Sequence, residues 1–233
     1  MNTVCVTIEN NEEDGIHSDS GGLDGVSSAR QEPSGKSDRA ETGFEVKDST
    51  GPYRPLEASP SFNIDHSYPS AGEEIRTDHR LLVGSQAMDT ISNHIGWGRQ
   101  TEANQVEQGG VLVGSVLRES ESNLTTGVAS TAIPATEAEG SISRLHFNHE
   151  VWSSILRRVD ELDRQGSRNS QIIGWYHTHP GRLSVFMSTT DQATQRQIFT
   201  QDWHFAVVMN PQKEVWRVFH GPESEECKGF VIR

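Results

Sequence analysis

Up to about residue 75 the sequence has neither a strand-like nor a helix-like apolar period, and beyond that point it has one or the other almost continuously. This boundary limits what the chain can fold into more than any other feature. Stretches such as "GIHSDSGGLDGVSSARQEPSGKSDRAETG" consist largely of Gly, Ser, Asp, Glu and Arg, and bury too little apolar surface to offset the entropy of an ordered chain. Only 33% of the 233 residues are hydrophobic and the mean hydropathy is -0.61, as expected when part of a chain stays unfolded. Residues 1–75 are therefore read as an acidic, low-complexity, disordered tail, and residues 76–233 as one domain large enough for its own core. Within the tail, "GPYRPLEASPSFNIDHSYPS" scatters Tyr, Phe, Leu and Ile in a way that fits a plain linker, or a segment that docks on a partner or on the domain itself.

Charge divides at the same place. Of the formal net charge of -13, residues 1–75 hold 15 acidic and 5 basic side chains (net -10), leaving 18 and 15 (net -3) for the rest. This balance argues against a nucleic-acid or anionic-membrane surface, which needs clustered Lys and Arg, and leaves local basic patches open. No run of about 18 apolar residues is present, and "MNTVCVTIENNEEDG" lacks the basic start and apolar centre of a secretory signal, so a cytoplasmic location is expected. Cys5 and Cys227 lie near opposite ends in unlike surroundings, which excludes a disulfide framework or a Cys-x-x-Cys zinc knuckle and fits a reducing compartment.

The patterned region reads as follows. "SQAMDTISNHIGW" places Met88, Ile91 and Ile95 on one helical face, with Ser85 as the expected N-cap. "GGVLVGSVL" and "TTGVASTAI" read as strands and "PATEAEGS" as a loop. "NHEVWSSILRRVDELDRQG" aligns Trp152, Ile155, Leu156, Val159 and Leu162 along a helix bounded by Asn148 and Gly166. "QIIGWYHTH" reads as a central strand, "STTDQATQRQIF" as a helix, and "WHFAVVMNP", "EVWRVFHG" and "KGFVI" as closing strands separated by Asn-Pro and Gly-Pro turns. This order predicts an α+β sandwich with helices flanking a mixed β-sheet.

One stretch carries chemistry: "GWYHTHPGRLSVFMSTTD", Gly174 to Asp191. On a strand, His177 and His179 project to the same face, near enough for both to reach one ion at roughly 2.0–2.1 Å. A Pro-Gly turn ends the ladder, and Asp191 in the first turn of the next helix can return a third ligand. Two histidines and a carboxylate, with a position left for water, make the donor set of a catalytic zinc site. Ser188-x-x-Asp191 is also a helix capping box, and the two readings are compatible because the cap fixes where that helix begins. Zinc-assisted hydrolysis further needs a base close to the metal. Glu107, just ahead of the "GGVLVG" strand, suits that role, but spacing alone does not select it over Glu102.

Taken together, these residues resemble the JAMM (JAB1/MPN/Mov34) zinc metalloprotease family. "EQGGVLVG", "GWYHTHPG" and "VFMSTTD" match its three motif segments in order, with Glu107 and His177 70 residues apart. The resemblance covers residues 76–233, and the flanking helix and "WHFAVVMNP" are similar to those of prokaryotic JAB domains. It implies the MPN/JAB, cytidine-deaminase-like sandwich, with His177, His179 and Asp191 holding one zinc ion and its catalytic water. By the same resemblance, Glu107 orients and deprotonates that water and Ser188 donates to the developing oxyanion. One departure is visible: eight residues separate His179 from Ser188, one more than the family pattern, which a surface turn accommodates at small entropic cost.

The implied activity is a zinc-dependent isopeptidase or peptidase that cuts after the C-terminal glycine of ubiquitin or a ubiquitin-like protein, whose conjugates are then the expected partners. The alternatives are a peptidase of sulfur-carrier conjugates and a catalytically silent scaffold of the same fold. His146 and His149 are read as helix-start residues, and His204 and His220 as half-buried strand residues. Trp152, Trp203 and Trp216 are expected in the core, and Trp175 in the core or the site wall.

Overall fold

The computed structural model describes residues 55–57, 64–65, 70–71, 75, 77–99, 106–141, 144–164 and 171–233. The reading of residues 1–75 as a disordered tail falls almost wholly outside them. A compact unit runs from Arg54 to Arg233. Its elements are β1 (Ile64–Asp65), β2 (Arg80–Gly84), α1 (Ser85–Ile95), β3 (Gly109–Arg118), β4 (Thr125–Pro134), β5 (Glu139–Ser141) and β6 (Arg144–His146). They continue with α2 (His149–Arg164), β7 (Gln171–Thr178), α3 (Thr189–Ile198), β8 (Phe205–Asn210), β9 (Val215–His220) and β10 (Glu225–Ile232).

The main sheet is mixed, in the order β1-β10-β2-β4-β3-β7-β8-β9, and β9 pairs with β10 as well. The first half of β10 bonds to β9 and the second half to β2, so every strand from β2 to β9 in this sheet has a neighbour on both sides. Little edge is left unpaired. The described pieces of the segment before residue 75 lie against this sheet. β1 pairs with Ile232 and Val231, Leu56 exchanges backbone bonds with Val116 and Arg118, and Ser70 and Ala71 bond to Gly229 and Trp216. Of the options open for that segment, these contacts are with the domain itself.

Helices cover both faces. On one, α2 and the end of α3 bury Val151, Ile155 and Phe199 against Val111, Val113, Trp175, Ala206 and Val208. Each such side chain removed from water contributes roughly 1.5–3 kcal/mol. On the other, α1 buries Ala87, Met88, Ile91 and Ile95, and the hydroxyl of Tyr176 meets Nδ1 of His94 at 3.0 Å. Because side chains alternate along β7, Trp175 and His177 face the α2–α3 layer and Tyr176 faces α1. Gly110 makes the close spacing possible, since a Cβ there would sit 2.3 Å from the Ile133 carbonyl oxygen.

Two local expectations change. Ser85 is the first helical residue of α1, and Gly84 takes the N-cap position without a side-chain bond. The reason is that β2 runs straight into the helix, with Gly84 still paired to Ile232. The expected loop "PATEAEGS" ends in a strand, because Glu139–Ser141 pairs with Arg144–His146 as a small hairpin. Asn148 caps α2 as its sequence suggests, its Oδ1 accepting from the Val151 N–H at 2.9 Å. Gly166 lies outside the described residues.

Candidate metal centre

Two elements, β7 and α3, and the turn that follows β7 deliver the three side chains. β7 ends at Thr178, so His177 leaves the last turn of the ladder while His179 follows one residue beyond it, tied by its N–H to the Met209 carbonyl at 2.8 Å. Asp191 sits at the third position of α3, inside a complete capping box. The Ser188 Oγ accepts from the Asp191 N–H at 3.2 Å, and Asp191 Oδ2 accepts from the Ser188 N–H at 2.8 Å. The cap therefore aims the carboxylate rather than competing with it.

The result is a tight convergence. His177 Nε2 lies 3.3 Å from His179 Nε2 and 3.2 Å from Asp191 Oδ1, and His179 Nε2 lies 3.2 Å from Asp191 Oδ2. In a tetrahedral shell with bonds of roughly 2.0–2.1 Å, neighbouring ligand atoms stand about 3.3 Å apart. The donor types and the spacing thus both fit a zinc ion. Among the described residues this is the one group of His, Cys, Asp or Glu close enough to hold a metal.

The supporting contacts are equally specific. His179 Nδ1 lies 2.7 Å from the Ser184 carbonyl oxygen, which can only accept, so Nδ1 carries the proton and Nε2 points to the centre. Trp175 stacks on the His177 ring, 4.4 Å between centroids and 13° from parallel, and its Nε1 donates to Gln195 Oε1 at 2.7 Å. Trp175 is thus both core and site wall. Gln195, Ser184 and this stacking have no motif signature, because each depends on contacts made only after the chain has folded.

Glu107 is 6% exposed and close enough to the centre for the charges of His179 and Asp191 to act on its carboxyl. The following residue holds it there: Gln108 N–H donates to Thr178 Oγ1 at 2.9 Å and Gln108 C=O accepts from Thr178 N–H at 2.8 Å, next to the Gly109–His177 pair of the β3–β7 ladder. Glu102, its rival by spacing, lies outside the described residues.

Electrostatics follow from burial among charges. Burial raises the Glu107 carboxyl to about 7, with the His179 charge pulling it down and the Asp191 charge pushing it up. Burial also works against ionised Asp191, yet hydrogen bonds from His177 and His179 overcome it and hold that carboxyl well below the usual range. Burial keeps His177 below an ordinary imidazole, whereas in His179 the bonds to Asp191 and to the Ser184 carbonyl outweigh burial and raise it. Val106, Leu183 and Phe186, three of the exposed large apolar side chains, belong to the two segments that carry these contacts, and Phe186 meets the His179 ring edge-on at 5.4 Å.

An α+β sandwich here brings two imidazoles and a carboxylate together, with a protonatable glutamate alongside, the donor set that a hydrolytic metal site requires. Residues 79–201, more than half of the chain, match the family described as JAB1/Mov34/MPN/PAD-1 ubiquitin protease, and the chain belongs to that JAMM family. Its similar proteins include the COP9 signalosome complex subunit 5 of Debaryomyces hansenii, 28% identical over 136 residues (58% of this chain, 26% of that protein). Those of Candida albicans, 28% over 145 residues (60% and 22%), and Dictyostelium discoideum, 30% over 113 residues (48% and 31%), are also similar. The chain thus spans less than a third of the length of these relatives.

Among the described residues no other histidine joins the group of His177, His179 and Asp191. His149 is the exposed first residue of α2, and the His146 side chain lies outside what the structure describes. His204 and His220, expected to be half-buried, are 6% and 7% exposed. The cause is the closure of the sheet, which brings His79 to stack on His220 at 4.0 Å and packs His204 against Trp203.

Proposed function

We propose that this chain is a zinc-dependent isopeptidase that hydrolyses the bond following the C-terminal glycine of ubiquitin or a ubiquitin-like protein. The observation that carries the reading is the 3.2–3.3 Å convergence of His177, His179 and Asp191 next to buried Glu107. Membership of a family described as a ubiquitin protease supports the choice of substrate class. When bound, zinc supplies Lewis acidity, polarising a carbonyl and acidifying water.

Glu107, with a carboxyl pushed up to about 7, is poised to take a proton from the attacking water and hand it to the departing amine, since neither protonation state is strongly preferred at neutral pH. The Ser188 Oγ accepts from the Asp191 N–H, so its own hydroxyl proton is left to donate to the substrate carbonyl oxygen as negative charge develops there. Asp191 serves twice: its Oδ2 holds the Ser188 N–H while the carboxylate faces both imidazoles. Phe186, Leu183 and Val106 offer an apolar rim for the chain leading to the scissile bond.

The test is a panel of ubiquitin and ubiquitin-like proteins carrying short C-terminal or lysine-linked extensions, incubated with the zinc-loaded protein and read by mass spectrometry. Cleavage directly after the terminal glycine, abolished by a chelator and by Glu107→Gln, is expected. Undiminished cleavage by Glu107→Gln would remove that residue as base. Stoichiometric zinc with no cleavage of any member would remove the isopeptidase reading.

A further inference from the structure

The His179 ring is oriented from outside the motif. Its Nδ1 donates to the Ser184 carbonyl, and Ser184 is exposed in the eight-residue segment between His179 and Ser188, a place where nothing local forces a carbonyl to point inward. Its neighbours, however, are held one by one. The two N–H bonds of the Asn210 amide go to the Gly181 and Leu183 carbonyls at 3.0 and 2.9 Å. The Lys213 ammonium reaches the Arg182 and Leu183 carbonyls at 2.9 and 3.0 Å. Arg217 Nη1 donates to the Val185 carbonyl at 2.9 Å. Carbonyls 181, 182, 183 and 185 are therefore all bound by side chains of the β8–β9 hairpin, and carbonyl 184 between them turns to the imidazole.

The holding groups are themselves fixed. Asn210 is fully buried, and its Oδ1 accepts from the N–H groups of Gln212 and Lys213 at 3.1 and 2.9 Å, so the amide is satisfied on both sides and has one orientation. Arg217 is forked onto Glu226 of β10, a carboxylate only 7% exposed. A buried, fully paired network of this kind is rigid. It also explains how the longer His179–Ser188 segment keeps a defined shape: its extra length is pinned at four carbonyls.

We propose that Asn210 and Arg217 are positioning residues that, by fixing the carbonyls on either side of Ser184, aim the Ser184 oxygen at His179 Nδ1 and so set the ring orientation and tautomer that present Nε2 to the metal. The effect on zinc rests on the metal-centre reading above, whereas the effect on the ring does not. Partners that orient a ligating histidine typically change metal affinity about 10- to 100-fold when lost.

Two variants separate positioning from mere stability. Asn210→Asp keeps the acceptor for Gln212 and Lys213 but loses the donors to Gly181 and Leu183. Arg217→Met is made together with Glu226→Gln, so that no buried charge is left unpaired. The first readout is long-range proton–nitrogen NMR of the His179 ring in metal-free full-length protein, at a pH where titration shows the ring neutral; the second is zinc affinity by chelator competition. We expect the unaltered protein to hold a single Nδ1–H tautomer, and both variants to fold, mix the tautomers and bind zinc about 10- to 100-fold more weakly. A folded variant with the single tautomer and unaltered zinc affinity overturns the proposal, and should one variant not fold, the other decides. If the unaltered protein binds no zinc, the metal reading fails while the ring measurement still decides the clamp.

Discussion

Two pairs of histidines are buried in this domain to almost the same degree, and they do opposite things. His177 and His179, 0% and 4% exposed, turn their Nε2 atoms toward each other and toward a carboxylate. His204 and His220, 6% and 7% exposed, face no carboxylate at contact distance among the described residues; His204 Nδ1 accepts from the Gln201 N–H, and His220 stacks on His79 with no hydrogen-bond partner for its Nε2 among the described residues. Burial pushes an imidazole toward its neutral form: it lowers His204 to about 4 and, together with the charges of His79, Arg118 and His204, lowers His220 to about 3. What makes a metal centre is burial together with a convergent anion and a second-layer acceptor that chooses the tautomer.

The comparison can be broken most forcefully at the centre. Glu107→Gln should retain zinc and lose hydrolysis by about 10²- to 10⁴-fold, the usual worth of a positioned base; assay of released product alongside metal analysis checks both halves. Next in size, zinc at about 1,000 times its dissociation constant should stabilise the domain by roughly 4 kcal/mol, read as a rise in melting temperature that Asp191→Asn abolishes.

Acid should act through the other pair as well as through His177 and Asp191, which are likewise held below their ordinary values. The folded pKa values of His204 and His220 lie below the unfolded value near 6.5, so between pH 6.5 and about 3 the unfolded chain binds more protons. The stability they contribute is complete above pH 6.5 and lost as pH falls toward 3, on the order of a few kcal/mol, and denaturant unfolding of metal-free protein across that range measures it. His220→Phe should flatten part of that slope. The smallest effect expected is on function: the same substitution, similar in volume and free of the unpartnered nitrogen, should cost under about 1.5 kcal/mol and leave zinc affinity and hydrolysis within about twofold.

Local signals were readable in the sequence wherever a side chain acts on its own element. The Ser188–Asp191 capping box and the Asn148 cap both follow from spacing, and the structure contains each of them. His177, His179 and Asp191 came together for the same reason, since a strand end and a helix start are short-range features, whereas Glu107 reaches them through the long-range pairing of β3 with β7. Contacts between distant segments left no such trace. The closure of β10 onto both β9 and β2, the His79–His220 stack and the docking of Leu56 beside Val116 and Arg118 join residues far apart in the chain. Asn210 read only as part of an Asn-Pro turn, because its bonds to Gly181 and Leu183 depend on where β8 ends relative to β7.

Zinc-edge X-ray absorption of the reconstituted protein tests the central claim most directly. One zinc per chain is expected, coordinated by two imidazole nitrogens and oxygen at roughly 2.0–2.1 Å with no sulfur, in a shell that changes when Asp191 is replaced by Asn. A shell with one imidazole or none, or one indifferent to that substitution, would contradict that claim.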